Sequence, residues 1–463
     1  MVRYDAVVVG SGPNGLTAAA RLALAGRSVL VLEAADTIGG GSRTVDLAGA
    51  RVDHCAAVHP FGSTSPAFDE LDLTGRGVRW LVPPIALAHP FDDGTAAVLD
   101  VAAPGAGLGD DATRWDRLVG SLARDWDRQR HLALDPIPVG VRRHPLRMAA
   151  FGATAVLPAA LVQRAFRTRE ARALLAGCAA HTGSPLTTPT TAGVAVGLLA
   201  AGTASGMPVA TGGSQTIVDA LADVVREAGG VIECGRPVRS RADLPPARSL
   251  VFDLVPQQVA SILGAASPRW RSGVAAWKLD LVLRSPMPWV AAAARSAGTV
   301  HLGGAADEIA AAEAETARGG LPERPYVIVA QPSVVDPSRA AAGHHVVWAY
   351  RHVPNGCTDD RATEGIERQF DRFAPGWREL VVHRRVTTTA GFAGSNESHL
   401  GGDVAGGAMT FRQVVARPRF ALDPYRWPGE SGVWICSQST PPGPGVHGMC
   451  GWHAAASVLS SGG

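Results

Sequence analysis

The sequence predicts an α/β fold in which helices pack on a parallel sheet, with a second, α+β region inserted between its parts. An apolar segment, Tyr4 to Val9, runs directly into a glycine-rich loop at residues 10–15. A helical stretch follows, and a second apolar segment, residues 28–32, ends at Glu33. Near the other end of the chain, an apolar segment at residues 433–436 again leads through a Gly/Pro turn into a helix. This repeated order of strand, glycine turn and helix is typical of parallel sheets that bind nucleotides.

The first glycine loop has the G-x-G-x-x-G spacing of a Rossmann-like dinucleotide-binding unit. Its predicted phosphate contacts are Gly10, Gly12, Pro13, Asn14 and Gly15. Gly10 permits the tight turn, Gly12 lets the backbone approach a pyrophosphate, and Gly15 lets the helix lie close to the strand. Free N–H groups and the helix dipole stabilise the phosphates there without a basic side chain.

A second group of predicted contacts follows the second strand. These residues are Glu33, Ala34, Gly40, Gly41, Ser42 and Arg43. The carboxylate of Glu33, 18 residues after Gly15, accepts hydrogen bonds from both ribose hydroxyls and repels a 2′-phosphate. A second glycine cluster followed by Arg43 is more than a nicotinamide dehydrogenase needs. This pattern favours FAD, whose pyrophosphate would be held by the glycine cluster and by Arg43.

Several segments resemble those of the phytoene desaturase-like FAD oxidoreductases. They are residues 10–44, 53–60, 212–215 and 401–409, together with residues 436–455, which are similar to the closing flavin motif of that family nearly throughout. The matches extend from the first strand to the last helix. The resemblance implies a Rossmann-like FAD-binding domain of the glutathione-reductase/amine-oxidase type with an inserted α+β substrate domain.

The resemblance also implies FAD as the cofactor and adds contacts to it. These are Val58, His59, Val238, Gly445, Val446 and His447. Val238 would offer backbone contacts at the adenine side, whereas residues 445–447 would lie against the flavin ring. The helix after them would direct its N-terminus at the pyrimidine edge of the flavin, where its dipole favours the reduced form.

The predicted FAD-binding domain is discontinuous and consists of residues 1–80, 211–265 and 405–463. Residues 81–210 and 266–404 form the predicted substrate domain. The first insertion carries apolar helices that would cover the substrate. The second carries strand-like runs that would form a sheet over the flavin, at residues 277–283, 326–331 and 345–350. Its Ala-rich segment, residues 305–317, predicts an exposed helix.

Composition is that of a large enzyme without a polyionic partner. The 463 residues include 43 Lys+Arg and 41 Asp+Glu, a net charge of +2 that predicts no nucleic-acid binding. The six cysteines form no C-x-x-C pair and suggest reduced thiols in the cytoplasm. The first strand starts too near the N-terminus to leave room for a signal peptide. No spacing typical of a metal site is present.

One apolar stretch raises the question of a membrane. Residues 148–162 are too few to span a bilayer and include Pro158. They predict a buried or substrate-covering helix pair, with peripheral docking on a membrane surface as the alternative.

Three side chains are candidates for direct catalysis: His59, Lys278 and His352. A desaturation needs an acceptor for a substrate proton, and histidine titrates near neutrality. A buried histidine that only donates or accepts structural hydrogen bonds is the alternative. Lys278 has a context similar to the lysine that flavin amine oxidases hold near flavin N5 through water, but an edge-strand lysine facing solvent would look the same.

These observations predict an FAD-dependent oxidoreductase that desaturates an apolar polyene, isoprenoid or polyketide-like molecule by hydride transfer to flavin N5. No second G-x-G-x-x-G comes directly after a strand, and the same spacing at residues 443–448 lies within the segment similar to the closing flavin motif. The electron acceptor is therefore expected to be oxygen, a quinone or another molecule rather than a bound nicotinamide. The alternatives are a flavin reductase, cyclase or isomerase of secondary metabolism, and a flavin amine oxidase. A non-enzymatic alternative is a lipid-binding escort protein of the Rab GDP-dissociation-inhibitor type.

Overall fold

The structure is a computed structural model that describes residues 4–266 and 268–462. Its strands in chain order are β1 (Tyr4–Val9), β2 (Val29–Leu32), β3 (Thr44–Leu47), β4 (Ala50–Asp53), β5 (Trp80–Leu81), β6 (Ile85–Pro90), β7 (Ala96–Leu99), β8 (Val209–Ala210), β9 (Val231–Glu233), β10 (Ala247–Phe252), β11 (Ala275–Leu283), β12 (Ala297–Leu302), β13 (Val327–Ala330), β14 (His345–Val353), β15 (Val381–Thr387) and β16 (Val433–Ile435).

The α-helices are connected to these strands by loops and short 3₁₀ turns. In chain order they are α1 (Pro13–Leu24), α2 (Pro66–Glu70), α3 (Ala112–Trp115), α4 (Ser121–Arg124), α5 (Trp126–Leu134), α6 (Ile137–Arg143), α7 (Pro145–Ala155), α8 (Ala159–Val162), α9 (Arg169–Ala180), α10 (Thr191–Ser205), α11 (Gln215–Glu227), α12 (Pro256–Leu263), α13 (Ala306–Ala317), α14 (Arg361–Phe373), α15 (Thr389–Ser395), α16 (Phe411–Val415) and α17 (Met449–Ser460).

The first sheet has five parallel strands in the order β16-β10-β1-β2-β9. Alternate residues of β1 face two separate apolar clusters, so the sheet is buried on both sides. Helices α1, α11 and α17 cover one side and α12 covers the other. Helix α17 approaches α1 so closely that a Cβ at Gly451 would lie 1.8 Å from the carbonyl oxygen of Asn14. The first and last helices therefore pack as one layer.

The second sheet has seven strands in the order β15-β11-β14-β13-β12-β6-β7. All neighbours are antiparallel except β6 and β12. Its outer face is apolar and packs on α14, with Trp277 and Leu279 against Phe370 and Phe373. Its inner face is covered by α9, α10 and α13.

Polar and aromatic side chains occupy the inner face along β11 and β14. The register pairs Lys278 with Tyr350 and Ala276 with His352. Paired residues, and those two positions along a strand, point to the same face. The side of the second sheet that faces the loops of the first sheet therefore carries Lys278, Asp280, Trp348, Tyr350 and His352.

Two sequence expectations in this region were wrong. Lys278 is not on an edge strand facing solvent, because β11 lies between β15 and β14 and the side chain is fully buried. Helix α13 is not simply exposed: Ile309, Ala312 and Glu313 are buried on the face that packs toward α9 and β14. The alanine-rich composition of α13 gives no indication that the Glu313 carboxylate is buried.

The predicted apolar pair at residues 148–162 forms α7 and α8. Among the described residues no single helix is long and apolar enough to cross a membrane; the pair Pro145–Ala155 and Ala159–Ala165 reaches that length only together, with an 85° bend between them. Helix α7 packs on α10 but has no fully buried residue.

Candidate functional site

A cavity of about 590 Å³ opens where β1, β2 and β10 end. This is the carboxyl edge of the parallel sheet, where ligands of such folds bind. Fourteen of the seventeen predicted cofactor contacts line it. The three that do not are Gly15, His59 and His447.

Gly15 lies beneath the cavity, where the helix meets the strand. A Cβ on Gly15 would come within 2.2 Å of the carbonyl oxygen of Gly10, a backbone atom that cannot move aside. At Gly12 a Cβ would lie 2.6 Å from Oδ2 of Asp253. Gly15 is thus required by close packing of backbone on backbone, whereas a side chain at Gly12 would need the Asp253 carboxylate to move.

Asp253, which follows β10, is a cavity residue that the sequence did not reveal. Its Oδ2 accepts the N–H of Gly15 at 2.9 Å, directly under the helix N-terminus. Partial burial, with the neighbouring Glu33 carboxylate, raises the pKa of Asp253 to about 7. No motif marks it, because it comes from a strand 238 residues further along the chain.

Glu33 is held in place by backbone groups on both sides. Its Oε2 accepts the N–H of Ser11 at 3.0 Å, and its Oε1 accepts the N–H of Ala35 at 2.9 Å. Arg43 lies 3.4 Å from Oε1 and donates to the carbonyl of Thr37 at 2.7 Å. Arg43 therefore lines the cavity and also holds Glu33 and the loop at Thr37 in place.

The cavity wall contains buried polar atoms without a partner. Nε of Arg43, Oδ1 of Asn14 and Nδ1 of His399 make no hydrogen bond within the described chain. All three residues line the cavity. Buried polar groups are normally paired, so a polar ligand in the cavity would complete them. The donor set and the glycine cradle fit a dinucleotide such as FAD.

His59 and His447 lie behind the wall instead of on it. Nε2 of His59 is 2.8 Å from Oγ of Ser214, and its ring packs near Trp80. Nδ1 of His447 accepts the N–H of Met449 at 3.1 Å. Burial lowers the pKa of each imidazole to about 4. Both rings are therefore neutral at physiological pH and hold neighbouring backbone in place.

The segment at residues 53–59, which we call the crossing segment, leads from the end of β4 to the cavity, and Lys278 of the second sheet holds its start. Nζ of Lys278 donates to the backbone oxygen of Asp53 at 2.7 Å and pairs with Asp280 at 2.7 Å. Burial lowers the pKa of Lys278, while the Asp280 carboxylate opposes this shift. Lys278 does not line the cavity. Its contacts are those of a residue that positions the crossing segment.

A second buried ion cluster holds the side chain of Asp53. Arg339 lies 2.8 Å from Asp53 Oδ2 and 2.9 Å from Asp336 Oδ2, and all three are almost completely buried. The other carboxylate oxygen of Asp53 accepts the N–H of Ser214 at 2.8 Å. Two ion clusters, one through Lys278 and one through Arg339, thus meet at the residue that begins the crossing segment.

His352, which like Lys278 does not line the cavity, forms a buried pair with Glu313 of α13. Nδ1 of His352 lies 2.9 Å from Oε2 of Glu313. Nε2 enters no hydrogen bond between described residues and faces the turn at Gly183, where a Cβ would lie 3.6 Å from it. The ring also stacks edge-on with Tyr350 at 5.6 Å. A carboxylate on Nδ1 fixes the tautomer that leaves Nε2 free to accept a proton.

Comparisons with known proteins agree with this architecture. A family model described as an NAD(P)-binding Rossmann-like domain matches residues 8–71. Over 98% of its length the chain is 26% identical to pyridine nucleotide-disulfide oxidoreductase domain-containing protein 2 of Rattus norvegicus, of which the match covers 92%. An oxidoreductase from Methanosarcina mazei superposes with a TM-score of 0.66 at 16% identity, covering 98% of this chain and 99% of that one. Cyclohexylamine oxidase from Brevibacterium oxydans gives a TM-score of 0.61 at 15% identity over 99% of both chains.

Structures related at these identities share a fold, and function must be argued from the site. The predicted α/β class is confirmed: a parallel sheet carries a Rossmann-like unit, and the likeness to the amine oxidase extends over the whole chain. The protein therefore has a mixed α/β fold with a Rossmann-like unit, and this fold is similar over the whole chain to that of the amine oxidase.

Proposed function

We propose that the protein is an FAD-dependent oxidoreductase that dehydrogenates an apolar substrate of polyene, isoprenoid or polyketide type. The cavity is the observation that carries this proposal. It combines a glycine loop at a helix N-terminus, an acid after the second strand, and unpaired buried atoms on Asn14 and Arg43. In this assignment the N-terminus of α1 holds the pyrophosphate and Glu33 the ribose. Gly445 and Val446 border the opposite part of the cavity and would hold the flavin.

When bound, the flavin supplies an acceptor for a hydride from a substrate carbon. The protein must then orient the substrate and take the proton from the adjacent carbon. His352 is the group we assign to this proton. Glu313 accepts Nδ1–H, so the Nε2 lone pair is available, and the carboxylate stabilises the imidazolium that forms.

The surroundings of this pair support an apolar substrate. The inner face of the second sheet presents Trp348 and Tyr350 beside His352, with ring centroids 5.1 and 5.6 Å apart along the row. The helices opposite belong to an apolar cluster rich in alanine and leucine from α9 and α10. Two of the three Nζ donors of Lys278 are used by Asp53 and Asp280, and the side chain does not line the cavity, which does not favour the amine-oxidase alternative.

The first experiment is the visible spectrum of the purified protein, with mass spectrometry of the ligand released by acid. Oxidised-flavin bands and released FAD are expected. Anaerobic mixing with phytoene in detergent micelles, cyclohexylamine and putrescine then separates the substrate classes by bleaching of the flavin. Bleaching by the amines alone would replace desaturation with amine oxidation. A colourless protein that does not bind added FAD would favour the escort-protein alternative.

The proton assignment has its own test. His352→Asn should slow flavin reduction by about a hundredfold, within the usual range for loss of a general base. Glu313→Gln should move the pH profile of reduction and shift the ¹⁵N signals of His352 toward a tautomer mixture, which a purely structural role would not do. His181→Asn is the matched control, because His181 is also a histidine on this side of the sheet but pairs with His301 at 3.0 Å. Unchanged reduction in His352→Asn would remove His352 from the mechanism.

A further inference from the structure

Helices α6, α7 and α8 form a surface with an unusual composition. Its exposed apolar side chains are Ile137, Val141, Leu146, Val156 and Leu161, and we call it the α6–α8 surface. Leu146 is 84% exposed, and the others are each close to half exposed. Exposed leucines and isoleucines scattered singly are ordinary, but a run of them on three consecutive helices marks an interaction site.

The solvent-facing side of α7 shows this apolar character most clearly. Its exposed positions are Leu146, Ala149, Ala150 and Ala153, spaced three or four residues apart. This spacing places them on one face of the helix. A helix on the surface of a water-soluble domain normally presents polar residues there. On α7 the face turned away from α10 has no polar side chain.

The charge of this part of the chain indicates which kind of partner covers the α6–α8 surface. Residues 136–169 contain six arginines and no aspartate or glutamate, whereas the whole chain has a net charge of only +2. Arg142, Arg143 and Arg164 are exposed beside the apolar residues. Three of the six are paired with carboxylates outside this range: Arg143 with Asp135, Arg147 with Asp125, and Arg169 with Asp93 and Glu170. No ion pair with a described carboxylate is formed by Arg142 or Arg164. Free arginines around an apolar face match a layer of anionic headgroups over hydrocarbon.

The geometry favours a helix pair that lies in the membrane surface. Helix α7 has 11 residues, about half the length needed to span a bilayer. An 85° bend separates it from the helix after it. Helix α7 also stays packed on α10, which holds it against the body of the protein.

We propose that the α6–α8 surface docks the protein on anionic lipid bilayers. The apolar stripe of α7 enters the boundary between headgroups and acyl chains, and Arg142 and Arg164 contact lipid phosphates. The proposal rests on this surface alone and not on the identity of the cofactor or substrate.

The test is flotation of the full chain with vesicles of phosphatidylcholine, with or without phosphatidylglycerol. We expect binding to the anionic vesicles that weakens with added salt. The triple variant Leu146→Ser/Val156→Ser/Leu161→Ser should bind at least about tenfold more weakly. Its matched control, Leu24→Ser/Val231→Ser, removes exposed apolar side chains from α1 and β9 and should bind normally.

A second pair of variants tests the charge. Arg142→Gln/Arg164→Gln should lose about fivefold in affinity per arginine at low salt. Arg318→Gln/Arg324→Gln removes two exposed arginines elsewhere and should lose none. Hydrogen exchange of residues 145–162 should slow only in the presence of anionic vesicles.

Three outcomes would overturn the proposal: no binding to either vesicle, equal binding by the triple variant, or self-association that the triple variant abolishes. The last would make the surface an interface between two copies of this chain. Flotation and flavin content are measured separately, so failure here leaves the proposed function intact.

Discussion

Two buried walls meet at the crossing segment, residues 53–59, and they consist of different kinds of chemical groups. The cavity wall of the first sheet includes the first glycine loop, whose backbone packs so closely on Gly15 that there is no room for a Cβ. The inner wall of the second sheet consists of large charged and aromatic side chains, with Lys278 and Arg339 completely buried. The first wall depends on shape, whereas the second depends on balanced charge. They should therefore fail in different ways when residues are changed.

The largest effect is expected in the cavity wall. Gly15→Ala places a Cβ against the backbone of Gly10, so the loop and α1 must separate. We expect FAD affinity to fall by about a hundredfold or more, measured by quenching of flavin fluorescence. Gly152→Ala is the control, since its Cβ would meet nothing within 4 Å. Normal affinity in Gly15→Ala would show that this wall does not depend on shape.

The second-largest effect is expected from a change in the balance of charges around Asp53. Arg339→Leu leaves Asp53 and Asp336 buried without a cation, which should lower the free energy of unfolding by about 3–5 kcal/mol. Urea unfolding followed by tryptophan fluorescence measures this. Arg226→Leu removes a half-exposed pair with Asp223 and should cost about 1 kcal/mol or less. Equal costs for the two variants would contradict the difference between buried and surface pairs.

Lys278 distinguishes a positioning role from a catalytic one. Lys278→Met leaves Arg385, 3.1 Å away, as the one described cation beside Asp280, and should cost about 3 kcal/mol of unfolding free energy. Lys278→Met/Asp280→Leu should recover most of that loss, because the unpaired charge is gone. Slower flavin reduction in Lys278→Met with unchanged stability would instead support the catalytic role predicted from the sequence.

The smallest effect is a pH dependence that belongs to the cavity wall alone. Asp253, with a pKa of about 7, faces the amides of Gly12 and Gly15 and the carboxylate of Glu33. A bound pyrophosphate raises that pKa further, so FAD binding takes up a proton above pH 7. Affinity should be level below pH 7 and fall with rising pH above it, by at most about tenfold per pH unit. Asp253→Asn should flatten the profile, and a profile that stays unchanged would exclude Asp253 as its cause.

The two walls also differ in how far the sequence predicts them. The loop at residues 10–15 and Glu33 are local signals, since each residue's role follows from its place in a strand, turn and helix. Asp253, Glu313 and Arg339 carry no such signal. Each acts through a partner far along the chain, as Glu313 does with His352. Only the pairing of strands and helices brings such residues together, and neither composition nor periodicity records it.

The packing of α17 on α1 has a consequence for how the protein is made. The cavity is bordered both by the first glycine loop and by Gly445, which is 430 residues beyond Gly15. At 5–20 residues per second, a ribosome needs roughly 20–90 s to cover that distance. During this time α1 has no last helix to cover it, so its apolar side is open to chaperones and to aggregation. The nucleotide site can thus be completed only after all of the chain between residues 15 and 445 has left the ribosome.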